Sequence, residues 1–300
     1  MSEIAQIGLK PALERVAAEI DRNFDLLLPV PEDPRARLFH AMRHAAIGGG
    51  KRMRPLLVCA ACDLFNVDRA AALRVATAIE CIHVYSLVHD DLPCMDDDDM
   101  RRGRPTVHIQ FDEATAVLAG DSLHALAFEL LADEATHADP FVRIELVREL
   151  ARASGPSGMA GGQAMDLAAE HETFDLSTVT RLQQLKTGAL IGFCLEAAAI
   201  MGHVPAEGRT RLRGYARDIG LAFQIADDLL DVEGDEAAVG KPLHKDEAAG
   251  KATFVSLLGV ERARQQASML VDQAIAHLSS FGAEAGLLRA VARYVVERDR

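Results

Sequence analysis

Two clusters of aspartates are the residues in this sequence best suited to carry out chemistry. Residues 90–99 contain six aspartates and follow a long apolar segment, and a second cluster, Asp227, Asp228 and Asp231, also follows mostly apolar residues. Carboxylates at such positions are unfavourable unless they are paired or bound to metal. An EF-hand is excluded, because Met100 stands where that loop needs Asp or Asn. Oxygen ligands without His or Cys favour Mg²⁺ over Zn²⁺.

The spacing within the second cluster supports a shared cation. Asp227 and Asp231 are four residues apart, so they lie on one helical face, where two like charges repel by a few tenths of a kcal/mol. A bound cation removes that repulsion. Mg²⁺ usually takes one or two carboxylates and completes its shell with water and substrate phosphate. We therefore predict that the two clusters converge around a diphosphate.

Cationic residues near the first cluster could hold that diphosphate. Three glycines at positions 48–50 precede Lys51 and Arg54, but the spacing is not that of a Walker A loop. A glycine turn at a helix start is well suited to bind phosphate through amides and guanidinium groups. His83 lies two helical turns before Asp90 and so shares its face. Arg101 and Arg102 directly follow the acidic run, where they could contact phosphate or merely neutralise it.

Weaker signals lie in the second half of the chain. Gln163 and Asp166 are three residues apart and so are neighbours on a helix. Lys186, Thr187 and Lys241 add polar and cationic groups, but none of them is informative alone.

The elements that must position these residues are helices. Apolar residues recur at helical spacing, prolines and glycines end the segments, and there is no convincing strand alternation. The sequence therefore predicts one all-α bundle domain over residues 1–300. Its predicted helices are 5–28, 35–47, 55–64, 69–91, 111–134, 140–154, 156–171, 177–202, 207–232, 251–279 and 283–297.

Composition excludes several classes of protein. The net charge of −13 and the lack of a basic stripe argue against nucleic-acid binding. Aromatic residues make up only 5% of the chain, which disfavours a β-sandwich. No uncharged apolar run reaches the roughly 18 residues that span a bilayer, so we expect no membrane partner. Five cysteines and no signal peptide indicate the cytoplasm, and Cys59 and Cys62 are expected to be buried core thiols.

The ordered motifs resemble the trans-isoprenyl diphosphate synthase family, and within it the bacterial enzymes that make farnesyl diphosphate. The resemblance covers nearly the whole chain and includes GGGKRMRP, IHVYSLVHDDLPCMDDDDMRRGRPTVH, GGQAMDL, KTGALI and FQIADDLLDVEGD. It implies an all-helical bundle around a deep central cavity, usually as a homodimer. It also implies condensation of isopentenyl diphosphate with dimethylallyl or geranyl diphosphate.

The resemblance also implies roles for individual residues. Asp90, Asp96 and Asp227 would bind about three Mg²⁺ ions that bridge the allylic diphosphate, each ion keeping substrate and water ligands. The same diphosphate would contact Arg101, Lys186 and Lys241. Isopentenyl diphosphate would be bound by Lys51, Arg54, His83 and Arg102. The polar groups that line the reacting centre would be Thr187 and Gln224.

Tyr85 is the residue that the resemblance links to product length. It lies five residues before Asp90, roughly 7–8 Å deeper along the helix, and an aromatic residue there goes with a fifteen-carbon product in this family. Two positions depart from the family pattern. His244 stands where Gly is usual and Val255 where Pro is common, so details of loop closure are open.

Three alternatives remain. A geranylgeranyl diphosphate synthase would differ mainly in lacking the bulky cavity floor. A class I terpene cyclase would lack the pocket of Lys51, Arg54 and His83, and would carry an Asn/Ser/Glu second motif. A noncatalytic metal- or partner-binding helical subunit could dispense with one aspartate motif, yet both are intact here.

Overall fold

The computed structural model describes residues 8–233 and 252–297, and these residues form the predicted all-helical fold. The helices are α1 Leu9–Leu27, α2 Ala36–Ala46, α3 Met53–Leu64, α4 Arg69–Asp90, α5 Val107–Gln110, α6 Glu113–Ala132, α7 Pro140–Ser154, α8 Met159–Ala168, α9 Leu176–Gln183, α10 Ala189–Met201, α11 Ala206–Glu233, α12 Phe254–Leu258, α13 Val260–His277 and α14 Gly286–Glu297. A π-helical turn, Gln184–Gly188, joins α9 to α10, and short 3₁₀ turns lie at Ser279–Phe281 and Ala283–Ala285. The strands β1 Met100–Arg101 and β2 Arg104–Pro105 form a small antiparallel hairpin.

Aspartate caps fix where several helices begin. The carboxylates of Asp68, Asp112 and Asp175 accept the backbone N–H of the residue three positions later, at 3.0, 2.7 and 2.8 Å. Each bond satisfies an amide that the first turn of α4, α6 or α9 leaves without a partner. Gly259, with φ at +79°, separates α12 from α13. The predicted helix 251–279 is therefore divided in two, whereas the predicted helix 111–134 is the single helix α6.

One compact unit comprises Lys10–Cys59 and Val67–Val147. Its central element is α4, which buries residues on every side, including Val75, Ile79, Ile82 and Val88. Glycine at position 120 lets α6 pack closely on it, because a Cβ there would lie 2.1 Å from Nε2 of His89. The first aspartate cluster leaves from the end of α4, so the packing of this helix fixes where that cluster begins. We call this body the N-terminal unit.

The second compact unit comprises Gly8, Leu9, Ala60–Asn66 and the described residues from Arg148 onward. Its core contains α10, in which eleven residues from Leu190 to Met201 are buried. The buried Tyr215 hydroxyl donates to the Leu288 carbonyl at 2.7 Å and so links α11 to α14. We call this body the C-terminal unit. Whether the two units act as the single domain that the sequence predicts stays a prediction.

Three helical stretches are long and apolar enough to span a membrane by length and composition. They are Arg69–Asp90, Glu113–Ala132 and Leu176–Met201, whose most apolar windows are 61%, 44% and 61% buried. Within the protein this apolar character is largely explained by burial, because the first and third stretches pass through the cores of their units.

Candidate active site

The first aspartate cluster folds back on the end of α4. Asp90 is the last residue of that helix, and the backbone N–H of Asp96 donates to the Asp90 carbonyl at 2.8 Å. The N–H of Asp98 donates to the Asp91 carbonyl at 3.2 Å. Asp90 is half-buried and Asp96 is exposed. The backbones of the two metal ligands predicted in this cluster are therefore held together in one compact turn.

Asp91, unlike Asp90, is turned into the protein. Its carboxylate is buried and accepts a hydrogen bond from Nε of Arg101 at 2.6 Å, while a terminal guanidinium nitrogen lies equally close. Burial raises the pKa of Asp91, and the Arg101 guanidinium opposes that shift. A terminal guanidinium nitrogen of Arg101 also lies 3.7 Å from Oδ2 of Asp98. The arginine predicted to hold diphosphate is thus anchored beside the predicted metal ligands.

The hairpin places Arg102 against the glycine turn. Arg102 lies at its tip with φ at +54°, and Gly103 follows at +74°. A Cβ on Gly50 would lie 2.6 Å from the guanidinium carbon of Arg102, and one on Gly49 would lie 3.1 Å from its terminal nitrogen. These glycines therefore provide the space in which the Arg102 side chain lies, in addition to shaping a flexible turn.

His83 shares this cationic environment. Desolvation is the main reason that its pKa lies well below the usual value, and the charges of Arg54, Arg102, Arg101 and Arg52 lower it further. The ring is therefore neutral at pH 7, and one ring nitrogen can donate a hydrogen bond to an anion. Three of the four predicted isopentenyl-diphosphate residues, Arg54, His83 and Arg102, thus lie in one charged environment. Lys51 is exposed at the start of the same segment.

Arg52 is a buried structural neighbour of these residues that the sequence analysis missed. It is 3% exposed with φ at +49°, and donates to Glu80 at 2.6 Å and to Asp21 at 2.8 Å. Its guanidinium also donates to the Ala46 carbonyl. In the sequence it is one of three cations in the run 51–54. The structure shows instead that Arg52 joins the glycine turn to α4. In the sequence, the one sign of such a partner is the acid Glu80 within an otherwise apolar helical segment.

In the C-terminal unit, Lys186 and Thr187 lie in the π-helical turn. Nζ of Lys186 donates to Asp166 at 2.8 Å, so the predicted phosphate-binding lysine is paired with the acid of the GGQAMD motif. Glycine at position 162 brings α8 against the backbone of this turn, since a Cβ there would lie 2.2 Å from the Lys186 nitrogen. Such π-helical turns are frequent at functional sites. Sequence periodicity predicted an ordinary helix here.

The second aspartate cluster lies near the end of α11. Thr187 donates to Oε1 of Gln224 at 3.4 Å, and the Gln224 amide donates to Asp228 at 3.2 Å. The other Asp228 oxygen accepts the backbone N–H of Phe254 at 2.9 Å. Asp228 is buried, whereas Asp227 is half-buried. The structure thus brings Thr187 and Gln224 together, while their shared role at the reacting centre stays a prediction.

Two sequence predictions lie beyond what the structure describes. Lys241 and His244 fall outside residues 8–233 and 252–297. Val255, where the family pattern often has Pro, is described. It is buried at the start of α12, whose N-cap Thr253 forms a capping box with Ser256.

Tyr85 belongs to a column of rings between α4 and α6. Its ring meets His89 and His124 edge to face, with centroids 5.7 and 4.9 Å apart. His124 in turn meets Phe128 at 5.1 Å. Burial and the charge of Asp90 raise the pKa of Tyr85. The predicted length-determining ring is therefore held by the neighbouring helix.

The donor set of the first cluster fits Mg²⁺. Asp90 and Asp96 offer hard oxygens from one turn, and Cys94, which lies between them in the sequence, is not among the predicted ligands. Within residues 8–233 and 252–297, no group of three or more His, Cys, Asp or Glu side chains is arranged to hold a metal alone. A Mg²⁺ ion there would thus take one or two carboxylates and complete its shell with water and phosphate, which is its usual mode.

A cavity of about 50 Å³ lies beneath the hairpin of the N-terminal unit and is lined in part by Val84, Leu87, Arg101 and Arg102. Ligand sites for molecules of drug size usually have volumes of roughly 300–1,000 Å³. This cavity is therefore too small to hold a prenyl diphosphate.

Known proteins resemble this chain over nearly its whole length. The polyprenyl synthetase family matches residues 35–290. Farnesyl diphosphate synthase of Escherichia coli is 45% identical over 91% of this chain and 92% of its own, and that of Geobacillus stearothermophilus is 39% identical over 99% and 100%. The crystal structure of an apo FPP/GFPP synthase from Zymomonas mobilis has 66% identity and a TM-score of 0.89, covering 96% of this chain and 98% of its own. The chain belongs to the polyprenyl synthetase family.

Proposed function

We infer that this protein is a short-chain prenyltransferase that joins isopentenyl diphosphate to dimethylallyl and geranyl diphosphates, forming farnesyl diphosphate. The observation that carries this inference is the site in the N-terminal unit. There an aspartate turn suited to a metal lies beside Arg101 and Arg102, and a neutral His83 shares their charged environment. Such a site suits a metal-bound diphosphate next to a second diphosphate. Family membership and the farnesyl diphosphate synthases among its relatives support the same function.

In the reaction, the bond between C1 of the allylic substrate and its diphosphate oxygen breaks. The double bond of isopentenyl diphosphate then attacks C1 to form a carbon–carbon bond, and loss of one proton restores a double bond. Arg101 and Lys186 would hold the departing diphosphate, whose charge increases as the bond breaks. Thr187 and Gln224 would present oxygen atoms towards the carbocation. The released diphosphate is the proposed proton acceptor.

Mg²⁺ is the proposed cofactor, with Asp90 and Asp96 as ligands in the N-terminal unit and Asp227 in the C-terminal unit. When bound, it acts as a Lewis acid that stabilises the charge on the leaving diphosphate. This proposal requires the two aspartate clusters to face each other across the substrate.

The fifteen-carbon product is proposed from Tyr85. Its ring would lie at the floor of the chain cavity, where it would stop further elongation. The 66%-identical Zymomonas protein is described as an FPP/GFPP synthase, so a longer product is the second candidate. We expect Tyr85→Ala to yield longer products, measured by chromatography of the dephosphorylated alcohols. An unchanged product length would remove Tyr85 from this role.

A homodimer is the proposed assembly. The N-terminal unit exposes large apolar side chains on α6 and α7: Val117 is 41% exposed, Leu118 55%, Phe141 79% and Ile144 62%. Such side chains at a subunit interface would be removed from water. Light scattering should give a dimer mass, and Phe141→Asp should reduce it. A monomeric wild-type protein would contradict this proposal.

We also propose a cytoplasmic location. All five cysteines are free thiols in the structure, and Cys59 and Cys62 are buried, as predicted. A reducing compartment preserves free thiols, including the exposed Cys94. Cell fractionation would test this location.

The decisive experiment incubates the purified protein with isopentenyl and geranyl diphosphates and Mg²⁺, and then identifies the product. Asp90→Asn and Asp227→Asn should each nearly abolish turnover. Asp97→Asn is the matched control, because it makes the same change at an exposed position of the same loop. The backbone of Asp97 has a φ of +51°, which Asn also adopts readily. Equal losses in all three variants would contradict the proposed metal ligands.

A further inference from the structure

Each aspartate motif contains two adjacent aspartates, and the two members of each pair differ in how far they are exposed to solvent. Asp90 and Asp227, the first members, are half-buried. Asp91 and Asp228, the second members, are each only 3% exposed. The same division therefore occurs twice, in two different units and on two different helices.

The surroundings of Asp91 are unsuited to a cation. One oxygen of its carboxylate lies 2.6 Å from both Nε and a terminal nitrogen of Arg101, and the side chain is 4% exposed. A metal ion bound to this carboxylate would lie close to a fixed positive charge and would have to lose most of its water. Mg²⁺ in particular gives up water reluctantly.

Asp91 instead restricts Arg101. A guanidinium group on a flexible side chain loses considerable rotamer freedom when it is held in one position. A charged hydrogen bond to a buried carboxylate holds it there before a substrate arrives. The Arg101 side chain remains 31% exposed, so part of the guanidinium can still reach an anion.

Both oxygens of Asp228 are also engaged by protein groups. Oδ1 accepts the Gln224 amide and Oδ2 accepts the backbone N–H of Phe254. Since the Gln224 nitrogen donates to Asp228, its oxygen Oε1 must point the other way, and it accepts from Thr187. Asp228 therefore determines which end of the Gln224 amide faces Thr187.

We propose that the second aspartate of each pair is a positioning residue and not a metal ligand: Asp91 orients Arg101, and Asp228 orients Gln224. This inference rests on the proposed function, because it assigns Arg101 to the allylic diphosphate and Gln224 to the reacting centre. In this proposal the first carboxylate of each motif faces the metal, and the second carboxylate holds the surrounding side chains in position.

The test is a double-mutant cycle read by binding. The probe is inorganic pyrophosphate, titrated calorimetrically without metal into the wild type, Asp91→Asn, Arg101→Gln and the double variant. Loss of a charge-assisted contact corresponds to roughly a 10- to 100-fold change in binding. We expect Asp91→Asn to weaken pyrophosphate binding by about tenfold at least, and the double variant to bind no more weakly than Arg101→Gln alone. Independent effects that multiply in the double variant would overturn the proposal.

The Mg²⁺ dependence of turnover separates positioning from metal binding. Asp91→Asn should lower the rate without changing the Mg²⁺ concentration at half-maximal turnover, whereas Asp90→Asn should raise that concentration. An equal increase in both variants would make Asp91 a ligand and refute the assignment. Urea unfolding identifies any variant that fails to fold. For the second pair, Asp228→Asn and Gln224→Glu provide a separate cycle, read by the Michaelis constants and the turnover rate.

Failure of this inference can be distinguished from failure of the proposed function. If the wild type binds pyrophosphate but forms no prenyl product, the proposed reaction is wrong, while the cycle still measures whether Asp91 acts through Arg101. If product forms and the cycle shows no coupling, only the positioning role is wrong.

Discussion

Gly162 should be essential for activity because it lets α8 approach the π-helical turn. A Cβ on Gly162 would lie 2.2 Å from the Lys186 backbone nitrogen and 2.5 Å from its Cα. Ordinary contact begins at 3.4 Å, so the shortfall is roughly 1.2 Å. Both atoms belong to the backbone, which cannot move aside as a flexible side chain can. Gly162→Ala must therefore displace the turn that carries Lys186 and Thr187.

The expected effects on stability and turnover differ in size. Overpacking costs about 1–3 kcal/mol, and the better helix propensity of Ala returns about 0.8–1.0 kcal/mol. The net loss of unfolding free energy should thus be about 0–2 kcal/mol. A misplacement of about 1 Å in an active site can lower a rate by about 100-fold. We expect turnover to fall to about one-hundredth while the protein remains folded.

The assay compares Gly162→Ala with Gly192→Ala. Gly192 also lies in a helix, but nothing lies within 4 Å of a Cβ built there. The control should keep full turnover and gain up to about 1 kcal/mol of stability. Urea unfolding gives the stabilities, and product formation from isopentenyl and geranyl diphosphates gives the rates. If the two variants have the same activity, the close approach of α8 does not position the turn.

Two further predictions concern the N-terminal unit. Glu80→Gln removes one partner of the buried Arg52, and breaking a buried ion pair costs about 3–5 kcal/mol. We expect the unfolding free energy, measured with urea, to fall by roughly 3 kcal/mol, because Asp21 remains a partner of Arg52. A loss below about 1 kcal/mol would contradict this reasoning. The second prediction concerns pH. The folded-state pKa of His83 lies below its ordinary value of 6.5, so the unfolded chain binds the proton first as the pH falls. Stability should therefore decrease as the pH falls below about 7, by at most about 1.4 kcal/mol per pH unit from this group. His83→Gln should make the profile flatter, and identical profiles would refute the desolvation argument.

The helices could be predicted because their signals are local. Apolar periodicity, prolines and glycines placed α4, α7 and α11 within one or two residues of their observed ends. The hairpin Met100–Pro105 was not predicted, because strands of two residues are too short to show alternation. The π-helical turn was missed for a related reason. Its one extra residue does not alter the composition of the predicted helix 177–202.

Contacts between distant residues could be predicted only in part. Arg101 was predicted to contact phosphate because it follows the aspartates, but its bond to Asp91 depends on the fold of the hairpin. Gly162 lies within the predicted helix 156–171, yet its role depends on what lies opposite it. Arg52 could not be separated from Lys51 and Arg54 by residue type, since burial alone makes it structural. Side-chain partners are set by tertiary packing, which one sequence does not display.

The π-helical turn at Gln184–Gly188 also limits how this chain can be altered by evolution or by design. One residue in an α-helix corresponds to a rotation of about 100°. The wide turn takes up one extra residue locally, so deleting that residue would leave α9 and α10 close to their present phase. The buried Val179 and Leu182 of α9 and the buried residues of α10 would keep their faces. A change of length within either regular helix would instead rotate one of these sets out of its pocket. Changes of length by one residue should therefore be confined to the turn.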